Sequence, residues 1–148
     1  NHPSAMVAEL ARLLHKQMME TAAEVGCEVY PYHIRKGWAK IGDIWLGHGF
    51  MYNINALRDH VEMQGGNVVM AHLHAAHTFR ARNGGGHWGV CVGTGADPDK
   101  LEYAQERRQT LAWNHGIAYG EYCDDASTMH LAQWNCEHGG IEEPRFLV

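Results

Sequence analysis

Cysteine is scarce and scattered in this chain. Cys27, Cys91, Cys123 and Cys136 stand far apart, with no Cys-x-x-Cys pair, which argues against a disulfide framework and reads as reduced thiols. No apolar run approaches the roughly 18 residues that span a bilayer. No basic, then apolar, then small-residue stretch reads as a signal peptide, so a cytoplasmic location is expected. Long blocks of like charge are missing too. The formal charge of −5 is spread along the chain, which excludes a nucleic-acid surface built on bulk positive charge. It leaves nucleic acid open as a substrate, because metal ions can supply local positive charge. Internal repeats, low-complexity segments and linkers are also absent. What remains is 148 residues, 45% of them hydrophobic, enough for one domain with a proper core.

Histidine is abundant: there are 12, as many as Lys and Arg combined. The most informative stretch is Asn67-Val68-Val69-Met70-Ala71-His72-Leu73-His74, an apolar run that leaves Gly65-Gly66 and ends in His-x-His. Extended backbone repeats its side-chain direction every second residue, so an extended reading puts His72 and His74 on the same side. Ile44-Trp45-Leu46-Gly47-His48-Gly49 is a second apolar run closing on a histidine, here between glycines that permit close backbone approach. Asn1-His2 opens the chain with another pair of potential ligands. His15, His33, His60, His115, His130 and His138 read as ordinary structural histidines. So do His77 and His87, though both fall near the presumed site.

The pattern of elements is α/β. Pro3 suits a first helical turn, Val7, Leu10, Leu13, Leu14, Met18 and Ala22 recur at helical spacing, and Gly26 stops the run. Strands are expected at 28–33 and at 38–46 with a break at Gly42-Asp43. Asn53 is expected to cap a helix bearing Ile54, Leu57, Val61 and Met63, ended by Gly65-Gly66. Further strands are expected at 67–71, 78–82 and 88–92, with a helical segment after Asp97-Pro98 through 101–109. A closing hairpin pairs 116–123 with 129–134. Together these predict a mixed β-sheet sandwich flanked by helices, with candidate ligands just past strand ends, where sites collect in open α/β sheets.

In this order, Asn1-His2, then His48-Gly49, then Ala71-His72-Leu73-His74 resembles the calcineurin-like metallophosphoesterase family. That family carries Gly-Asn-His-(Asp/Glu), a lone His followed by Gly, and Gly-His-x-His. A helix after Asn-His, a helix between the later motifs and strand pairs beyond are similar as well, over residues 1 to about 134. Pro3 replaces an acid and Ala71 a glycine. The family's Asp-x-His and Gly-Asp-x-x-Asp motifs belong before Asn1, so the chain is expected to be the C-terminal portion of a single such domain, part of a four-layer α/β/β/α fold.

The resemblance implies a phosphoesterase acting on a phosphomonoester or phosphodiester, nucleic acid included, through two divalent ions (Mn, Fe or Zn) roughly 3.5–4 Å apart. Asn1, His48 and His72 would ligate one ion and His74 the other. His2 would act on the phosphate as the catalytic residue, stabilising the transition state or protonating the leaving oxygen. Without the upstream carboxylates the chain is expected to be weak or inactive. The alternative is a non-catalytic domain with structural or adventitious histidine metal binding. A cupin-like His-x-His barrel fits poorly, because no Glu follows His74 within reach and the first helix is long.

Overall fold

The computed structural model describes residues 4–82, 85–97, 100–101, 113–135 and 145–146. The chain divides into two compact units, Asn1–Pro31 and Tyr32–Val148. The first holds helix α1, Ala5–Glu24, which starts where the side chain of Ser4 accepts the Val7 N–H at 3.4 Å. Its end is a Schellman motif: the Cys27 N–H reaches Ala22 O, the Gly26 N–H reaches Ala23 O, and Gly26 sits at φ 74°. Pro3 lies outside the described residues. Among the described residues no helix is long and apolar enough to cross a membrane.

Residues 28–33 form no strand. Pro31 interrupts the run and has no N–H to give a ladder. His33 starts a turn instead, its Nδ1 accepting the N–H groups of Arg35 and Lys36 at 3.0 and 3.2 Å.

In the second unit, β1 (Trp38–Ile41) and β2 (Ile44–Gly47) form an antiparallel hairpin that turns at Gly42-Asp43, where the sequence suggested a break. Helix α2 (Ala56–Gln64) follows and ends on Gly65 in the left-handed conformation. Strand β3 (Asn67–Met70) then runs parallel to β2, and β5 (Trp88–Val92) runs parallel to β3. Between them in sequence, β4 (Ala76–Arg80) pairs antiparallel with β5 at the sheet edge, two residues earlier than its pattern suggested. The sheet order is β1-β2-β3-β5-β4. A second sheet, β6-β7-β8, comprises the hairpin Asn114–Tyr122 with Ser127–Asn135 and the short strand Arg145–Phe146. The helix expected over 101–109 lies almost entirely outside the described residues.

The alternation of β3 explains the layers. Val68 and Met70 face α2 and pack with Leu57, Val61, Trp38 and Cys91. Val69 faces the other way, beside Val90, Ala76 and Leu131 under the second sheet. Burying one such aliphatic side chain contributes roughly 1.5–3 kcal/mol, so both sides of the sheet stabilise the unit. The fold is therefore α/β, with a mixed sheet sandwiched between a helix and a second sheet.

The face of α2 differs from its expected one. Ile54 precedes the helix and is 98% exposed, whereas His60 is 0% exposed beside Leu57 and Val61. Asn53 closes a turn ahead of the helix, its side chain accepting the Asn55 N–H at 2.7 Å, and Asn55 takes the cap position.

Candidate metal centre

Strands β2 and β3 are parallel neighbours, and both lead into histidines at the same edge: His48 follows Gly47, and Ala71-His72 follow Met70. The His48 carbonyl accepts the His72 N–H at 2.9 Å and the Ala71 N–H at 3.3 Å, so the backbone ties the two segments together. The imidazole rings of His48 and His72 meet edge to face with centroids 4.9 Å apart.

Gly49 makes this approach possible. Its φ is 89°, and a Cβ there would lie 2.6 Å from Met70 Cε and 3.1 Å from His72 Cβ. A histidine followed by glycine is thus a steric requirement of bringing His72 close.

The His48 Nδ1 lies 2.9 Å from the Gly49 carbonyl oxygen. A carbonyl can only accept, so Nδ1 carries a proton and Nε2 is the ring nitrogen left for a metal. A ring N–H anchored on a carbonyl is the usual way a metal-binding histidine is oriented. Burial first, and then the neighbouring His48, His74 and His60, push His72 below the ordinary imidazole range. Burial and then His48 do the same to His74. Both effects favour neutral rings, the form that ligates metals.

The His-x-His segment departs from its extended reading. Strand β3 stops at Met70, and the His74 N–H donates to Ala71 O at 3.1 Å, closing a tight turn. His74 has φ 57°, the one positive value among the described non-glycine residues. The same-side rule of extended backbone therefore does not apply to His72 and His74. His74 packs its ring edge to face against Trp113, with centroids 4.3 Å apart.

His60, read from sequence as an ordinary structural histidine, braces this edge. Its Nδ1 lies 2.6 Å from Ala56 O and must donate, while Nε2 accepts the Phe50 N–H at 3.1 Å. The two bonds hold the neutral Nδ1–H tautomer and fix the chain two residues after His48. Burial pushes His60 below the usual imidazole range, against the opposing pull of the Ala56 carbonyl and Asp59. Of the other described histidines, His77 bonds Ala75 O through Nδ1, His115 bonds Thr94 O, and His130 stacks on Tyr119. Asn1 and His2 lie outside the described residues, as does His138.

The chemistry of the donors suits a divalent ion that imidazole binds, Zn²⁺ among them: three imidazoles, one with its second nitrogen already committed. Their number is short. Among the described residues no group of three or more His, Cys, Asp or Glu could hold a metal ion. None of the three histidines is ion-paired to a carboxylate there either. His48 and His72 form a two-imidazole pair, with His74 close enough to act on His72 electrostatically.

No family model matches the chain, and no curated protein does. Among solved structures it is similar to wild-type Vps29 from Entamoeba histolytica, crystallised in complex with Zn²⁺, at 16% identity and a TM-score of 0.46. That alignment covers 82% of this chain and 62% of the Vps29 chain, so the chain spans less than two thirds of it. A likeness of that degree is too slight to assign a family.

Proposed function

We propose that the His48, His72 and His74 edge is part of a metallophosphoesterase site hydrolysing a phosphomonoester or phosphodiester. The observation that carries the reading is the junction of β2 and β3. Two parallel strands lead into His48 and His72, with rings 4.9 Å apart and His48 Nδ1 already bonded to a carbonyl. The order of motifs along the chain supplies the reaction class by resemblance. His48 and His72, with Asn1, would hold one ion, and His74 would hold the second. Bound divalent ions would polarise the phosphoryl oxygens and lower the pKa of a water. The protein's own part is to present neutral imidazoles on a backbone-tied turn, and His2 would hold a proton for the leaving oxygen.

The second reading, metal binding by histidines without catalysis, is favoured by the short ligand set among the described residues. One experiment separates the two. The purified chain is titrated with Zn²⁺ and Mn²⁺ and assayed on bis(p-nitrophenyl) phosphate with and without chelator. Metal binding that His48→Ala and His72→Ala each weaken by more than about 100-fold, above the cost of losing an outer partner, is expected. Slow, chelator-sensitive turnover completes the phosphoesterase reading. Binding with no turnover at any metal loading supports the non-catalytic reading, and binding unchanged in both variants overturns the site itself.

A further inference from the structure

We propose that Trp113 and Asn114, at the start of β6, are positioning residues that hold His74 in its ligand-presenting conformation. The inference rests on the metal-binding reading of the His48 edge.

His74 needs such a device. His74 is not a glycine, yet its backbone sits at φ 57°, a region that only a few per cent of non-glycine residues occupy, histidine more often than most. A conformation of this kind persists only where the surroundings over-determine it. Ala71 O supplies one restraint by accepting the His74 N–H at 3.1 Å. The others come from far along the chain. The Asn114 N–H donates to His74 O at 3.1 Å, and Asn114 Oδ1 accepts the N–H of Ala76, where β4 begins. One residue therefore grips the backbone on both sides of Ala75. Asn114 is itself anchored, since its carbonyl accepts the Thr94 N–H at 3.0 Å.

The neighbouring Trp113 deals with the side chain. Its ring meets the His74 imidazole at 4.3 Å between centroids with planes at 76°, an edge-to-face contact that restricts how the imidazole can swing. Backbone and ring of His74 are thus set by two consecutive residues. Gly93 admits them: a Cβ there would lie 2.4 Å from Asn114 O. Orientation of a ligating imidazole matters as well as its presence, because metal–nitrogen bonds near 2.0–2.1 Å tolerate little misplacement.

The test uses the full chain and Zn²⁺ as probe, with Trp113→Ala, Trp113→Phe, Asn114→Ala and Asn114→Asp. Zn²⁺ affinity should fall about 10–100-fold in the two alanine variants, the range for partners that orient a ligand. Both Asn114 variants keep the backbone N–H, but only Asn114→Asp keeps an acceptor oxygen for the Ala76 N–H, and Trp113→Phe keeps an aromatic face, so Asn114→Asp and Trp113→Phe should recover binding. Alanine variants that fold, by amide dispersion in NMR spectra, and bind Zn²⁺ as tightly as wild type would overturn the proposal. His74→Ala binding like wild type would overturn it too. A second readout needs no metal: a cross-peak between His74 and Trp113 ring protons, present in the wild type and in Asn114→Asp. Its loss in Asn114→Ala supports positioning, and its persistence there counts against it. If the wild type binds no Zn²⁺, the functional reading fails, while this cross-peak still decides whether Asn114 sets His74.

Discussion

The two ends of the parallel strands β2, β3 and β5 are built from opposite polar chemistry. At the starting end, Asn67 is 6% exposed and its side chain is fully engaged. Its amide nitrogen donates to Asp43 Oδ2 and to Ser127 Oγ, and its oxygen accepts the Trp88 N–H at 3.0 Å. One side chain thereby joins the starts of β2, β3, β5 and β7. At the finishing end, His48, His72 and His74 make few such commitments, and His74 holds a strained backbone. Polar groups that spend their hydrogen bonds on the fold stabilise it. Groups that keep lone pairs in hand, at some cost in strain, are placed for a ligand.

The contrast is sharpest if the Asn67 end is broken first. Asn67→Ala leaves the Trp88 N–H and the Asp43 carboxylate without their partner. Orphaned buried groups cost roughly 1–3 kcal/mol each, so a loss of about 2–4 kcal/mol is expected in denaturant unfolding. Zn²⁺ affinity of the folded variant should not change. A variant that keeps its stability but loses metal would reverse the roles assigned to the two ends.

His60 stands between these extremes, a structural group that braces the edge carrying the candidate ligands. His60→Leu removes the acceptor of the Phe50 N–H, and a loss of about 1–3 kcal/mol is expected. The pH dependence carries a sign. The folded-state pKa of His60 lies below its ordinary value, so below pH about 6.5 the unfolded chain takes up the proton more readily than the folded one. The His60 contribution is full above that pH and is lost as pH falls through the folded pKa. His72 and His74 shift in the same direction and act with the same sign. Thermal unfolding should therefore show a lower Tm at pH 5 than at pH 7.5, with a smaller difference in His60→Leu. An equal difference in both proteins would remove His60 from the account.

What the sequence made legible followed local rules. Apolar runs bounded by glycine marked β2, β3 and β5, and helical spacing ended by Gly26 and Gly65-Gly66 marked α1 and α2. The edge where candidate ligands gather was readable for the same reason, since the β2 and β3 runs each lead into a histidine. Non-local chemistry was not readable. Nothing around His60 announces that its ring will accept the N–H of Phe50, ten residues earlier. Nothing near Ala76 announces a bond to Asn114, 38 residues on. The extended reading of His72-Leu73-His74 failed at the turn that the His74 N–H closes on Ala71 O, and the Asn114 N–H that bonds the His74 carbonyl comes from 40 residues along the chain. Pro31 carried the signal against a strand at 28–33, and the apolar residues around it outweighed that signal in the pattern.

The smallest expected effect tests whether the Asn67 network acts as a unit. Ser127 Oγ is its outermost member, accepting from Asn67 at 3.3 Å at the first residue of β7. The bond is long, and Ser127 is only partly buried, so water can replace it when the hydroxyl is removed. Ser127→Ala should then cost about 0.5–1 kcal/mol, the net value of one ordinary hydrogen bond. Asp43 and Trp88 keep their bonds to Asn67 in that variant. If Ser127 acts only through Asn67, Ser127→Ala adds nothing to Asn67→Ala, which already removes their bond. A double mutant less stable than Asn67→Ala alone would mean that Ser127 holds β7 through something other than Asn67. A double mutant equal to Asn67→Ala places the whole contribution of Ser127 in that network and makes the link between the two sheets at this end a property of one asparagine.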